Sequence, residues 1–391
     1  MIGLQQAWRR LALLAGVAVL AGFWGLAAVW KLGPAIRWLG LAGLTAGYSM
    51  AFVKRNLGRN RSASSPALFG NLGPGTLTTL MRGLLLAGVG GFLFSARPSG
   101  GLAWVPTVLF TTAELLDYLD GYLARETRQP TQLGEAFDLE LDNLGMLIGS
   151  SLAVWYGSLP GRFLSIGLAG YLFRFGRWAR QRAGRPVREL PPSRSRRPIA
   201  GLTMGFLSAV LWPIVRPPAT TLAGIFFLAP LLTSFARDWL AVSGRLDPNG
   251  PAYRRARSWA RSALLNWIPI SVRAILVLEV AGSLPGRVER IAVEVATFRA
   301  AGFSFDVGTV RLLLVIEAVA ALLIGLGIAG RTAAFLLVFP LGFTILAGGM
   351  QASDAVLLSA DLAVVVLGTG AFSIWQPEVR LLMARTAGPT G

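Results

Sequence analysis

Long apolar runs broken by short arginine-rich stretches make up most of this chain. An uncharged apolar run of about 18 residues or more reads as a membrane-crossing helix, because about 20 residues at 1.5 Å each span a hydrocarbon core. The pattern predicts about twelve such helices in three blocks. The first block has two, near 11–31 and 34–53, and ends in the basic loop Lys54, Arg55, Arg59, Arg61. The second has six, near 76–97, 102–120, 138–159, 162–179, 198–215 and 218–236. The third has four, near 264–284, 308–329, 332–350 and 354–375. The turn sequence Asp247-Pro248-Asn249-Gly250-Pro251 marks the boundary before the third block. The expected fold is an all-α polytopic membrane protein: two N-terminal helices over 1–62, a six-helix core over 63–246, a linker over 247–262 and a four-helix domain over 263–391.

The charges between the runs predict an orientation. With the N-terminus in the cytoplasm, the loops at 54–61, 121–137, 180–197 and 237–262 and the one at Arg331 all fall on the cytoplasmic side, where Arg and Lys accumulate. The opposite loops are short and poor in Arg, except 285–307, where Glu289 and Glu294 offset Arg287, Arg290 and Arg299. The first apolar run, Leu11–Trp30, is 20 residues long and follows Arg9 and Arg10. It is too long for a secretory signal and is expected to be a retained span.

Composition narrows the chemistry. Of 391 residues, 54% are hydrophobic and 14% charged, against about 25% charged in soluble domains. The formal net charge is +18, and Lys31 and Lys54 are the only lysines. Such basicity can mean nucleic-acid binding, but these arginines sit in loops beside apolar runs, so no nucleic-acid partner is expected and anionic lipid head groups are. The chain has no Cys and no His. Disulfides, thiolate nucleophiles, imidazole bases and Cys/His zinc sites are thereby excluded. Any metal must be held by oxygen, which favours Mg²⁺ or Mn²⁺.

The acids are concentrated. Asp117, Asp120, Gly121, Ala124, Arg125, Gly134, Asp138 and Asp142 read D-x2-D-G-x2-A-R-x8-G-x3-D-x3-D. Asp117 and Asp120 are three apart and Asp138 and Asp142 four apart, so each pair shares a helix face. A short loop with Pro130 and Gly134 makes the two helices antiparallel neighbours. Four aspartates then converge, and acids at a membrane edge need a cation, water or a partner. Two divalent ions about 3.5–4 Å apart suit such a cluster and suit pyrophosphate chemistry. Arg125 can fork onto phosphate, and Ala124 leaves room for a nucleobase or ribose. A salt-bridge role with nearby arginines is the plainer alternative.

This motif resembles the signature of the CDP-alcohol phosphatidyltransferase family, over roughly residues 65–240. The stretch Pro74-Gly75-Thr76-Leu77-Thr78-Thr79 with Arg82 is similar to a second family stretch, with Gly75 where the family commonly has Asn. The resemblance implies a six-helix fold and transfer of a substituted phosphoryl group from a CDP-alcohol to a hydroxyl, with release of CMP. It implies that Asp117, Asp120, Asp138 and Asp142 lie at two metals, with Asp142 as the base. Gly121, Ala124 and Arg125 would contact the CDP moiety, and Gly134 would shape the loop. Arg174, Arg177 and Arg237 would bind an acceptor phosphate, with snorkelling to lipid as the alternative. Glu114 and Glu140 are expected as Arg partners or supports. The implied partners are a CDP-lipid donor such as CDP-diacylglycerol, a small phosphorylated alcohol and membrane lipids. The implied place is a prokaryotic-type plasma membrane with the site facing the cytoplasm, and homodimerisation stays open.

The third block carries Arg273, Glu279, Glu317 and Asp361 inside apolar runs. The segment from Glu317 to Arg331, and Asp361 with Leu-Gly-Thr-Gly at 367–370, look like the DoxX-like four-helix membrane family. Ion pairing within the bundle and a proton or quinone role are the two readings of these charges. A different class of function for the whole chain is a transporter or scaffold whose acids bind cations.

Overall fold

The computed structural model describes residues 2–62, 67–126, 131–190, 193 and 196–377, and every side chain among them except those of 118–126. The described helices are α1 (Ile2–Val29), α2 (Leu32–Asn56), α3 (Pro74–Gly90), α4 (Val105–Glu126), α5 (Gln132–Trp155), α6 (Leu164–Arg182) and α7 (Arg196–Leu211). They continue with α8 (Ala219–Val242), α9 (Pro251–Ser262), α10 (Ile268–Glu289), α11 (Ile291–Ala300), α12 (Val307–Leu326), α13 (Gly330–Gly348) and α14 (Ala352–Leu367). No β-sheet occurs among the described residues. Each predicted span coincides with a helix, and α9 and α11 are additional. Among the described residues, five helical stretches, α1, α8, Pro251–Glu289, α12 and α13, are long and apolar enough to cross a membrane. Leu13, Val17 and Trp24 of α1, Leu278 of α10 and Leu312 and Leu322 of α12 are more than half exposed, as lipid-facing side chains are. The chain is an all-α integral membrane protein.

Two compact units form, Met1–Gly176 with Thr203–Val215, and Arg177–Leu202 with Arg216–Gly391. In the first, α3 packs on α2, α4 and α5. Small side chains let these backbones close up: Ala35, Ala42 and Ala46 of α2 are buried, and a Cβ on Gly83 of α3 would already touch Leu141 at 3.5 Å. The Trp38 indole of α2 donates to Gly88 O of α3 at 2.8 Å. Phe52 of α2 stacks on Phe137 of α5 at 5.7 Å. The N-terminal pair is therefore built into the first unit. Helix α3 starts with Pro74 in its first turn, where the missing N–H costs nothing. Thr131 caps α5 by accepting from Gly134 N at 2.9 Å.

In the second unit, α10, α12, α13 and α14 pack as neighbours, and α14 also packs on α8. Asp306 caps α12 by accepting from Thr309 N at 2.8 Å, and Gly327 ends it with φ +68°. The segment 247–262, expected as a linker, holds α9. Pro251 sits in its first turn, and the Ala and Arg that follow favour helix. The segment 285–307, expected as a loop, holds α11. Its Val295 and Phe298 are buried with Val310 and Leu314, and Phe303, Phe305 and Phe343 pack against them. Part of the charge inside the bundle is paired, since Arg287 bonds Glu294 at 2.9 Å and Glu317 at 2.7 Å, whereas Asp361 is fully buried with neither carboxylate oxygen hydrogen-bonded. Arg273 donates to Thr369 O at 3.0 Å and Ala371 O at 3.2 Å.

Candidate metal and phosphate centre

Helices α3, α4 and α5 bring the acids together. Asp117 lies on α4, Asp138 and Asp142 one turn apart on α5. One ligand atom from each lies within 4.8 Å of the others. The three side chains are 35%, 42% and 38% exposed, so the cluster is open on one side. The side chain of Asp120 and those of Ala124 and Arg125 lie outside the described residues, as does the surrounding of Gly121.

Arg82 of α3 sits against this cluster. It is 1% exposed. Its Nη1 is 2.6 Å from Asp117 Oδ1 and 2.8 Å from Asp138 Oδ1, and its Nη2 is 2.6 Å from Asp142 Oδ1. Part of the cation that the aspartates require is therefore the chain's own. The sequence flagged Arg82 only as part of a family-like stretch. A lone arginine inside an apolar helix was the available signal, since such a charge always demands a partner. Glu114, one turn before Asp117 on α4, feels the charges of Arg82, Asp117 and Asp142. Its Oε1 is buried and has no hydrogen-bond partner in the protein.

The donor set fits a hard divalent cation. All ligands are carboxylate oxygens, which Mg²⁺ and Mn²⁺ prefer. Around Mg²⁺ at about 2.0–2.1 Å, oxygens on opposite sides stand about 4 Å apart, so the triad needs a contraction of roughly an ångström at most. The unsatisfied Glu114 oxygen is a further acceptor that a cation or its water would satisfy. Counting Asp117, Asp138, Asp142 and Arg82 leaves two net negative charges, which one divalent ion neutralises.

The remaining expected residues are dispersed. Gly134 occupies the first turn of α5, where a Cβ would come within 3.1 Å of Thr131 Oγ1 and 3.3 Å of Thr76 Oγ1. Its role is close approach of α5 to α3. Arg174 of α6 is tied to Glu140 of α5 at Nη1, and the Tyr48 hydroxyl of α2 donates to the same carboxylate at 2.6 Å. Glu140 stands two residues from Asp138 and from Asp142, about 200° around the helix, so this pair lies on the face of α5 turned away from the triad. The Arg174 guanidinium also lies over the Tyr171 ring at 4.8 Å. In the second unit, Arg237 and Arg196 share the buried Asp238, at 2.6 and 2.9 Å. Arg177 keeps its Nε buried without a hydrogen-bond partner. Tyr48 and the Arg196–Asp238 pair were not foreseen. Neither belongs to a local motif that would single it out.

A family model described as CDP-alcohol phosphatidyltransferase matches residues 74–242. This segment contains Arg82, all four aspartates, Arg174, Arg177 and Arg237. No curated protein and no solved structure matches the chain.

Proposed function

From a CDP-alcohol phosphatidyltransferase domain at residues 74–242, we propose that this protein moves a phosphatidyl group from CDP-diacylglycerol or a related CDP-lipid to the hydroxyl of a small phosphorylated alcohol. The coarser part is given by the domain itself: the protein is a transferase acting on a CDP-alcohol, of a family that generally uses divalent metals. The observation that carries the finer reading is the convergence of Asp117, Asp138 and Asp142 at one open-sided, oxygen-only cluster beside a buried arginine.

In this reading Asp117, Asp120 and Asp138 hold Mg²⁺ or Mn²⁺. Bound there, two such ions would neutralise the pyrophosphate and stabilise the leaving oxygen in an in-line displacement. Asp142 takes the proton of the acceptor hydroxyl as its oxygen bonds to the lipid-linked phosphorus, and CMP leaves. Gly121, Ala124 and Arg125 serve the CDP moiety. The acceptor phosphate is assigned to Arg174, Arg177 and Arg237, of which Arg174 is paired with Glu140 and Arg237 with Asp238. The arginine-rich loops support a cytoplasmic site in a prokaryotic-type plasma membrane. Residues 263–391 are proposed as a DoxX-like accessory domain. Transport of cations is the weaker reading, since it calls for acids spread through the membrane depth, whereas this triad is gathered at one point.

The test is CMP release from CDP-diacylglycerol with glycerol 3-phosphate, inositol phosphate, glycerol and inositol as acceptors, in Mg²⁺ or Mn²⁺. The phosphorylated acceptors should be used and the free alcohols not. Asp117→Asn and Asp138→Asn should abolish release, because an amide replaces an anionic ligand. Full activity in EDTA would refute the metal mechanism.

A further inference from the structure

One guanidinium reaches an Oδ1 atom on each of the three described ligands. Each carboxylate oxygen offers about two lone-pair directions, and Arg82 takes one on every member of the triad. The arginine cannot swing out to solvent. It is 1% exposed, held on α3 where that helix packs against α2, α4 and α5. Its positive charge therefore stays within a few ångströms of any cation among these oxygens, where unlike a solvated charge it is poorly screened.

We propose that Arg82 is a built-in counter-ion that competes with the divalent cation for Asp117, Asp138 and Asp142, and so sets how much metal the site requires. This rests on the triad being a metal site. The physics runs in two directions. Without a cation nearby, three carboxylates with oxygens within 4.8 Å repel, and Arg82 holds them together. When a cation enters, it shares the three carboxylates with the guanidinium, taking the lone pairs and Oδ2 atoms that Arg82 leaves or an oxygen that Arg82 releases, and the guanidinium's charge opposes the newcomer. Arg82 thus trades metal affinity for a cluster that stays assembled. The neighbouring Glu114 oxygen, buried and without a hydrogen-bond partner, is an acceptor to which a displaced guanidinium can turn.

The experiment is Mn²⁺ binding followed by electron paramagnetic resonance on the full-length protein in detergent, with thermal melting in EDTA and in Mn²⁺. Arg82→Met removes the charge and keeps a similar stem. It should bind Mn²⁺ about tenfold more tightly than wild type, melt lower in EDTA, and regain more stability on Mn²⁺ addition. Arg82→Lys keeps a charge but loses the fork, and should gain about threefold. If Arg82→Met does not fold, Arg82→Lys decides alone. Equal or weaker Mn²⁺ binding in the folded variants overturns the competition and leaves Arg82 as a scaffold for the ligands. No Mn²⁺ bound by wild type or by either variant overturns the metal reading beneath it.

Discussion

Asp138 and Asp142 occupy the same face of α5, one turn apart, and both touch Arg82, yet the proposed chemistry separates them. Asp138→Asn removes a ligand and should lose Mn²⁺ binding with activity. Asp142→Asn removes a base and should cost about 10²–10⁴ in turnover, with the KM for CDP-diacylglycerol nearly unchanged. Parallel loss of donor affinity and rate in Asp142→Asn would make it a ligand only. The four aspartates were legible in the sequence because spacings of three and four place side chains on one helix face whatever the helix packs against. The partners of the arginines were not. Arg174, Arg177 and Arg237 read as forks for phosphate or as side chains snorkelling to lipid, and Glu140 as the partner of some arginine, but which pair forms depends on what the neighbouring helix presents. Glu140 is 34 residues from Arg174 in the chain, and no local pattern joins them.

Between helices, glycine matters at particular contacts. A Cβ on Gly167 of α6 would come 2.5 Å from Leu147 Cα and 2.6 Å from Ser150 Oγ of α5. The first of these is backbone and cannot yield without moving the helix. Gly167→Ala should therefore destabilise the protein by about 1–3 kcal/mol, the usual cost of overpacking. Gly205 of α7 has nothing within 4 Å of an added Cβ, so Gly205→Ala should be neutral or gain about 0.5–1 kcal/mol from the stiffer helix. Thermal melting in one detergent compares the two, and equal shifts would refute the packing argument. Helix positions came through from apolar run length, whereas α9 and α11 did not. Both are charged and shorter than a membrane span, and α11 is held by buried contacts of Val295 and Phe298 rather than by a signal of its own.

The compact units do not follow the boundary that the turn at 247–251 suggested. Helix α8 lies within the family-matched segment, yet it packs on α14 in the second unit. Lipid tails are as apolar as the face α14 covers, so stripping α14 from α8 exposes no surface to water. A protein ending at residue 262 should accordingly insert, bind Mn²⁺ and release CMP, at a lower melting temperature. A folded truncation that binds CDP-diacylglycerol but releases no CMP would make the C-terminal helices part of the enzyme. Replacing Glu317 by Gln should lower stability without stopping CMP release, because its partner is Arg287 of the same bundle.

Chain length, apolar runs and charge asymmetry settle early that this is an all-α membrane protein. The oxygen-only ligand set follows from the absence of Cys and His, and the aspartate faces follow from helical spacing. These properties are local, so they survive any packing. The rotation of each helix is different. In a soluble protein an apolar stripe points to the core, but here lipid and protein interior are equally apolar, so periodicity cannot tell which face meets a neighbour. That α3 turns Arg82 toward the triad, that α5 presents Glu140 to Tyr48 and Arg174 on its opposite face, and that Asp238 gathers Arg196 with Arg237 are consequences of how each helix is rotated against its neighbours. They emerge only once the helices are packed.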